Sequence, residues 1–296
     1  MIQLAKKSSE ENFGLMPRVM SLFRSAFGPG SGRVFIFAGT AIVISITAMS
    51  LLAPFISPHD PSQIALGPPN SPPSAAFPLG TDLYGRDMLS RTLWGGRFIL
   101  LVAVTAVAIC LAIGVPIGLM SAYGGGFLDK GISLLMDSMY AFPSLVLAIV
   151  IISIFGVNVV NEAIALAVVY VPSYYRVIRS QVLTIKELPY VEAAKSIGGK
   201  TGHILLRYIF PNVVSSIVVL GTINFADSIL TTAGLDFIGL GLPVNLPDWG
   251  IDLTYGRSAL PLGAWWVIFF PGLMILLSAL GFGLISEGLS ERGIQG

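Results

Sequence analysis

Charge is scarce in this chain: Asp, Glu, Lys and Arg make up 11% of its 296 residues, against the roughly 25% usual for soluble domains. Cysteine occurs once, as Cys110 in an apolar run, so no disulfide can form within the chain and thiols say nothing about compartment. Histidine occurs twice, at His59 and His203, too far apart to suggest a metal site or the base of a nucleophile triad in a membrane-embedded enzyme. An excess of one charge is also missing. Seventeen basic residues against sixteen acidic ones give a formal charge of +1, which implies no nucleic acid or other polyanion as partner. What remains is apolar: 54% of the residues are hydrophobic, and that balance places the chain in a membrane.

A bilayer-spanning helix takes about 20 mostly apolar residues, and charge-free stretches of that length give six candidates. Val34 to Ile56 and Phe98 to Ala122 are uncharged throughout, as is Ala264 to Ser286. Val213 to Leu235 carries only Asp227. Between Ser138 and Tyr175 the single charge is Glu162, and Gly156, Asn158 and Asn161 offer a turn that divides the stretch into two spans. An even number of spans puts both termini on one side. Basic residues orient the bundle, because Lys and Arg near helix ends stay in the cytoplasm. With the N-terminus inside, thirteen of them are cytoplasmic and four, Arg86, Arg91, Arg97 and Arg257, are outside. The chain thus divides into a cytoplasmic tail, 1–33, and a transmembrane domain, 34–296, that includes an outer loop, 57–97, and a cytoplasmic loop, 176–211. No small-residue cleavage site follows the first apolar run, which reads as a retained helix.

Ala106, Cys110, Gly114, Gly118 and Ala122 form a stripe of small residues at every fourth position of the second span, a device for close helix packing. Prolines at 116, 143, 172, 211 and 271 sit in or beside spans, where they permit kinks. The two halves show no repeat of the kind many secondary transporters carry. The outer loop opens with seven prolines between Pro58 and Pro78, too many for a helix. Thr81 is then expected to cap an amphipathic helix that stops at Gly95-Gly96, with Asp82–Arg86 and Asp87–Arg91 pairs one turn apart. That helix either lies on lipid or caps the bundle.

In the cytoplasmic loop Pro189 starts a helix that Gly198-Gly199 ends. Thr201 is expected to cap a second one, with Ile204, Leu205, Tyr208 and Ile209 on its apolar face, before Pro211 leads into the fifth span. Glu192, Lys195 and the glycine turn are exposed on this compact lever. Ala194 to Thr201 nearly matches a phosphate-binding loop, but Ala194 replaces the first glycine and a helix precedes it where a strand is needed.

This loop carries a resemblance. Glu192-Ala193-Ala194, then Gly198, then Pro211 fall at the spacings of the cytoplasmic motif of permease subunits of binding-protein-dependent ABC transporters, with Tyr208 and Phe210 replacing the usual Ile and Leu. Phe77 to Arg91, Ala141 to Leu145, Phe237 to Pro243 and Pro247 to Gly250 are similar to the second permease of the dipeptide, oligopeptide and nickel branch. Phe77 stands for a usual His, Thr232 for a common Glu and Asp236 for a common Ser.

The resemblance implies an all-α integral membrane protein with the type I importer permease fold, six transmembrane helices and a cytoplasmic coupling helix. It implies a non-enzymatic subunit that forms half of a solute pathway, in the cell membrane among lipid. Its partners would be a homologous permease, two ATP-binding subunits that hold ATP and magnesium, and an extracytoplasmic solute-binding protein. Glu192, Ala193, Ala194, Lys195, Gly198 and Pro211 would couple it to ATP hydrolysis. Peptides are the first solute class implied, with oligosaccharides or nickel as alternatives and a self-sufficient secondary transporter as a rival. Three acids are pathway or gating candidates. Asp137 lies near the cytoplasmic end of the third span, where it could also be a helix-packing group. Asp227 lies deep in the fifth span, where it could meet a cationic solute such as a peptide amine or hydrogen-bond within the bundle. Asp236 lies near the outer mouth.

Overall fold

The computed structural model describes residues 32–243 and 245–294; the expected tail, 1–33, lies outside them except for Gly32 and Arg33. Among the described residues the regular structure is helical. It comprises α1 (Gly32–Ile56), α2 (Met88–Gly124), α3 (Gly126–Tyr140), α4 (Ser144–Phe155), α5 (Val159–Ile185), α6 (Pro189–Ser196), α7 (Thr201–Phe237), α8 (Trp249–Ala259) and α9 (Trp266–Ile294). Helices α1, α2, α7 and α9 are each long and apolar enough to cross a membrane, and the α3–α4 pair makes a fifth span if its 95° bend is counted as one broken crossing. The 27-residue α5 has the length of a span but carries Glu162 in its first turn and Arg176 and Arg179 further on.

The bundle is apolar outside as well as inside, as a lipid-facing surface requires. On α1, Phe37, Ile44 and Leu51 form an exposed stripe at seven-residue spacing, while Phe35, Gly39, Ile46, Ser50 and Ala53 turn inward. Glycines set the closest helix approaches. Gly32 and Gly39 of α1 face Gly288 and Gly281 of α9 backbone to backbone. The stripe expected on α2 is buried along its whole length: Cys110 bonds its thiol to the Ala167 carbonyl at 3.4 Å, and Gly114 and Gly118 lie against Tyr174 and Ile178. These contacts rise together in number, so α2 and α5 run parallel, and the α3–α4 pair carries the chain back between them.

The structure divides 138–175 as expected at Gly156, whose φ is +87°, and at Asn158, whose side chain accepts the Asn161 N–H and caps α5. The third span, expected from Ser138 with a kink permitted at Pro143, differs in its start and in the sharpness of its break. The helix begins at Gly126 and breaks at Ala141–Pro143, because the residue before a proline is driven out of helical conformation.

The outer segment also differs from expectation. Its helix starts at Met88, not after Thr81: Asp87 is the cap, accepting the Leu89 and Ser90 N–H groups. Gly95 and Gly96 do not stop it. They lie inside the 37-residue α2, where the absence of side chains lets Trp249 pack on the backbone. Asp82 and Arg86 do pair, at 2.6 Å, but in a turn ahead of the helix. Asp87 is committed to its cap and to His59, so Arg91 pairs instead with Asp252 of α8 at 2.6 Å. Asp82, Arg86, Asp87 and Arg91 are all buried, so of the two placements this segment caps the bundle.

Candidate functional site

Loop 176–211 ends the bundle opposite that cap. Proline at the first position of α6 needs no intrahelical N–H. Val191 and Ala194, three residues apart on one face, are buried against the core, whereas Glu192, Ala193, Lys195, Ile197 and Gly198 are exposed. Gly198 turns the chain with φ +82°. Its N–H bonds to the Lys195 carbonyl and that of Gly199 to the Ala194 carbonyl, both at 3.0 Å, which closes the helix end.

Few side chains tie α6 down. Lys195 Nζ sits 5.3 Å from the Tyr123 ring centre, and Asn212 donates to the Tyr190 hydroxyl at 3.3 Å. Lys186, just before it, donates to the Ala122 carbonyl at the end of α2 at 3.1 Å, where a cation complements the helix dipole. Ile204, Leu205 and Ile209 are buried, as their spacing predicts. Two expectations are corrected. Thr201 makes no side-chain cap, and Lys200 is the residue at the cap position. Pro211 does not separate two helices: α7 is continuous from Thr201 to Phe237, and its turn at Leu205–Ile209 is π-helical. A widened turn accommodates the ring and missing N–H that proline brings to a helix interior. The near-match to a phosphate loop sits between helices, and no strand lies among the described residues.

The three candidate acids fall in three environments. Asp137 pairs with Arg176 at 2.8 Å with both side chains about half exposed, and Arg176 lies over the Tyr140 ring. Asp236 is 2% exposed; its Oδ1 accepts the Leu242 N–H and so closes the turn that follows α7. Asp227 is exposed on α7 and lines a cavity of about 290 Å³ with Asn224, Tyr170, Ser173, Ser144 and Phe142 among its walls. A second cavity of about 500 Å³ nearer the loop is lined by Asn212, Ser215 and Ser216 of the same helix. The wall residues are a pattern that charge counting passed over: Tyr170 and Ser173, like Asn224 and Asp227, are polar residues one helical turn apart in apolar spans.

Asp236, a pathway candidate by sequence, shares its surroundings with two acids that the sequence left unassigned. Glu162, Asp236 and Asp248 are buried together. Asp248 Oδ1 caps α8 through the Gly250 and Ile251 N–H groups. Burial, and next the Asp236 carboxyl, push the Asp248 carboxyl well above the usual carboxylate range. The Oδ2 atoms of Asp236 and Asp248 have no protein donor, and two neighbouring buried carboxyls disfavour each other's ionisation. The described residues hold no group of His, Cys, Asp and Glu with metal-binding geometry.

A bundle of apolar helices, a short exposed helix one turn ahead of α7 and cavities with polar walls along α7 have the form of a membrane transport subunit. Comparison with known proteins gives the family. Residues 114–292 match the binding-protein-dependent transport system inner membrane component family, and the chain belongs to it: it is a permease subunit of an ABC transporter and not an enzyme. It is 37% identical over 274 residues to a dipeptide transport system permease protein of Alkalihalophilus pseudofirmus, covering 92% of this chain and 89% of the relative. It is 36% identical over 281 residues to a di/tripeptide transport system permease protein of Pseudomonas aeruginosa, covering 93% and 91%. A glutathione transport system permease protein of Pectobacterium atrosepticum is 36% identical over 260 residues, covering 88% and 86%.

Proposed function

We propose that this chain forms half of the pathway of a peptide importer and that the exposed face of α6 receives the mechanical work. The observation that carries the reading is continuity. The turn that positions Glu192–Gly198 leads directly into α7, and α7 carries both the loop-end cavity and Asp227. In this reading the permease pair sits on two ATP-binding subunits, which hold ATP and magnesium, and this chain meets them through Glu192, Ala193, Lys195 and Gly198, while Ala194 anchors the helix from behind and Pro211 passes the movement along α7. A homologous permease completes the pathway, and an extracytoplasmic binding protein delivers the solute. Both termini and the 176–211 loop face the cytoplasm, as the basic residues there favour. Peptides are the solute class favoured by the names of the relatives.

Gly198→Val tests the coupling. Nothing lies within 4 Å of a β-carbon added there, so the substitution acts through the positive φ, which becomes costly. The assembled complex is expected to lose at least about tenfold in both uptake and ATPase stimulation by loaded binding protein, an effect of roughly 1.4 kcal/mol. Unchanged stimulation and uptake in a correctly assembled Gly198→Val complex would overturn the assignment.

A further inference from the structure

Asp227 is exposed in the interior of the 37-residue α7, ten residues short of its end at Phe237. That is about 15 Å along the axis. A carboxyl presented to hydrocarbon at such depth costs about 2.5–3.5 kcal/mol by insertion scales, so this face of α7 does not meet lipid. Among the described residues no Lys, Arg or His lies within ion-pair distance of Asp227. The nearest basic residue on the facing helix is Arg176, one turn beyond Ser173, and it is engaged by Asp137 and the Tyr140 ring.

Among the described residues Asp227 has one neutral donor in reach, the Tyr170 hydroxyl, and no cation, so its carboxylate keeps accepting capacity. The Ser173 hydroxyl donates to the Tyr170 carbonyl at 2.9 Å. Asn224, which is 5% exposed, turns its amide nitrogen toward Ser173 Oγ at 3.5 Å and toward Tyr174, and the other half of its amide is a carbonyl oxygen that can only accept. The Tyr170 hydroxyl is shared between Thr231, at 2.9 Å, and the Asp227 carboxyl. Two carboxylate oxygens and an amide oxygen suit a group with three donors and a positive charge, and a primary ammonium is that group. Phe142 supplies an aromatic ring on the cavity wall. The volume, about 290 Å³, falls at the low end of the roughly 300–1,000 Å³ of small-molecule sites. It holds one end of a peptide and not a long chain.

We propose that this recess is a transient binding site for the primary ammonium end of the translocating solute, with Asp227 as its charge and Asn224 as its neutral acceptor. The proposal rests on the reading that α7 lines the pathway, and it names the chemistry the pathway selects.

A charge-selective labelling experiment on the assembled complex tests it without relying on the preferences of the binding protein. Cys110 is fully buried, which leaves a quiet background for Ser144→Cys on the opposite cavity wall. The probes are methanethiosulfonates carrying trimethylammonium or sulfonate. The ratio of cationic to anionic labelling rates is expected to be about tenfold higher in Ser144→Cys than in Ser144→Cys/Asp227→Asn, the size expected of one screened charge. Dialanine at millimolar concentration is expected to slow labelling, Nα-acetyl-dialanine to leave it unchanged, and Asp227→Glu to retain both behaviours. Equal rate ratios in the two backgrounds, or equal protection by the acetylated peptide, overturn the proposal. Failure of both reagents to reach the thiol also overturns it, by removing the recess from water. That outcome leaves the coupling assignment to stand or fall on Gly198→Val.

Discussion

The two ends of this bundle are built on opposite plans. At one, segment 57–97 is welded to α8: Arg91 is fully buried, pairs with Asp252 and also donates to the Pro61 carbonyl at 3.0 Å. The Trp249 indole donates to the Thr92 carbonyl and that of Trp266 to the Thr81 carbonyl. At the other end, α6 rests on two buried side chains and presents Ile197, 86% exposed, at its tip. Buried, hydrogen-bonded charges hold one geometry, since any displacement strands a charge in a low dielectric. An exposed helix with few anchors is free to be covered and moved. The contrast teaches where the subunit is rigid and where it accepts a partner.

Four substitutions bear on this contrast. Arg91→Met is expected to have the largest effect. It strands Asp252, 1% exposed, and loses about 3–5 kcal/mol, read as a lowered melting temperature in detergent; a loss under about 1 kcal/mol would mean that the cap is not the rigid end. Gly96→Ala comes next. Its new methyl would meet Ser50 Oγ and the Trp249 ring, costing about 1–3 kcal/mol by overpacking, and a melting point equal to wild type would show that α1 and α8 yield there.

Asp248→Asn should act through pH. Burial and the Asp236 carboxyl raise the Asp248 carboxyl in the folded state above its unfolded pKa of about 3.9. The contribution is therefore greatest in acid and is lost as pH rises toward the elevated folded value, by up to about 1.4 kcal/mol per pH unit. Asparagine caps the helix equally well, so the variant should melt with a shallower decline between pH 5 and 8, and an unchanged slope would mean that the Asp248 carboxyl is not raised. The smallest effect is expected of Asp137→Asn. Its half-exposed ion pair is worth no more than about 0.5 kcal/mol in stability, and a loss above about 2 kcal/mol would make the loop end as tightly built as the cap.

The sequence told most where one residue settles the local backbone. Pro189 and Gly198 bracket α6, Asn158 caps α5 and the small residues of α2 pack as their spacing says, because each depends on a few neighbours. It told least where two distant segments decide the outcome. Asp87 and Arg91 have ideal spacing for a helix pair, yet Arg91 takes Asp252, 161 residues away, and Gly95-Gly96 reads as a stop only until Trp249 occupies the space. Gly32, Gly39, Gly281 and Gly288 pack two helices together, but each pair is seven residues apart and its partner far along the chain. Asp227 was visible from its position alone, whereas the recess around it needed α5 and the α3–α4 break brought alongside. Pro211 misled because a proline usually interrupts a helix, and here the turn before it absorbs the fault.

That turn has a geometric consequence. A π-helical turn is an α-helix with one residue too many, and one residue is about 100° of rotation at 3.6 residues per turn. The turn at Leu205–Ile209 therefore sets the phase between the start of α7, where Ile204 is buried near Gly199, and the polar face that carries Asn224 and Asp227. Without the added residue, the two ends of this one rod could not both face the surfaces they now meet.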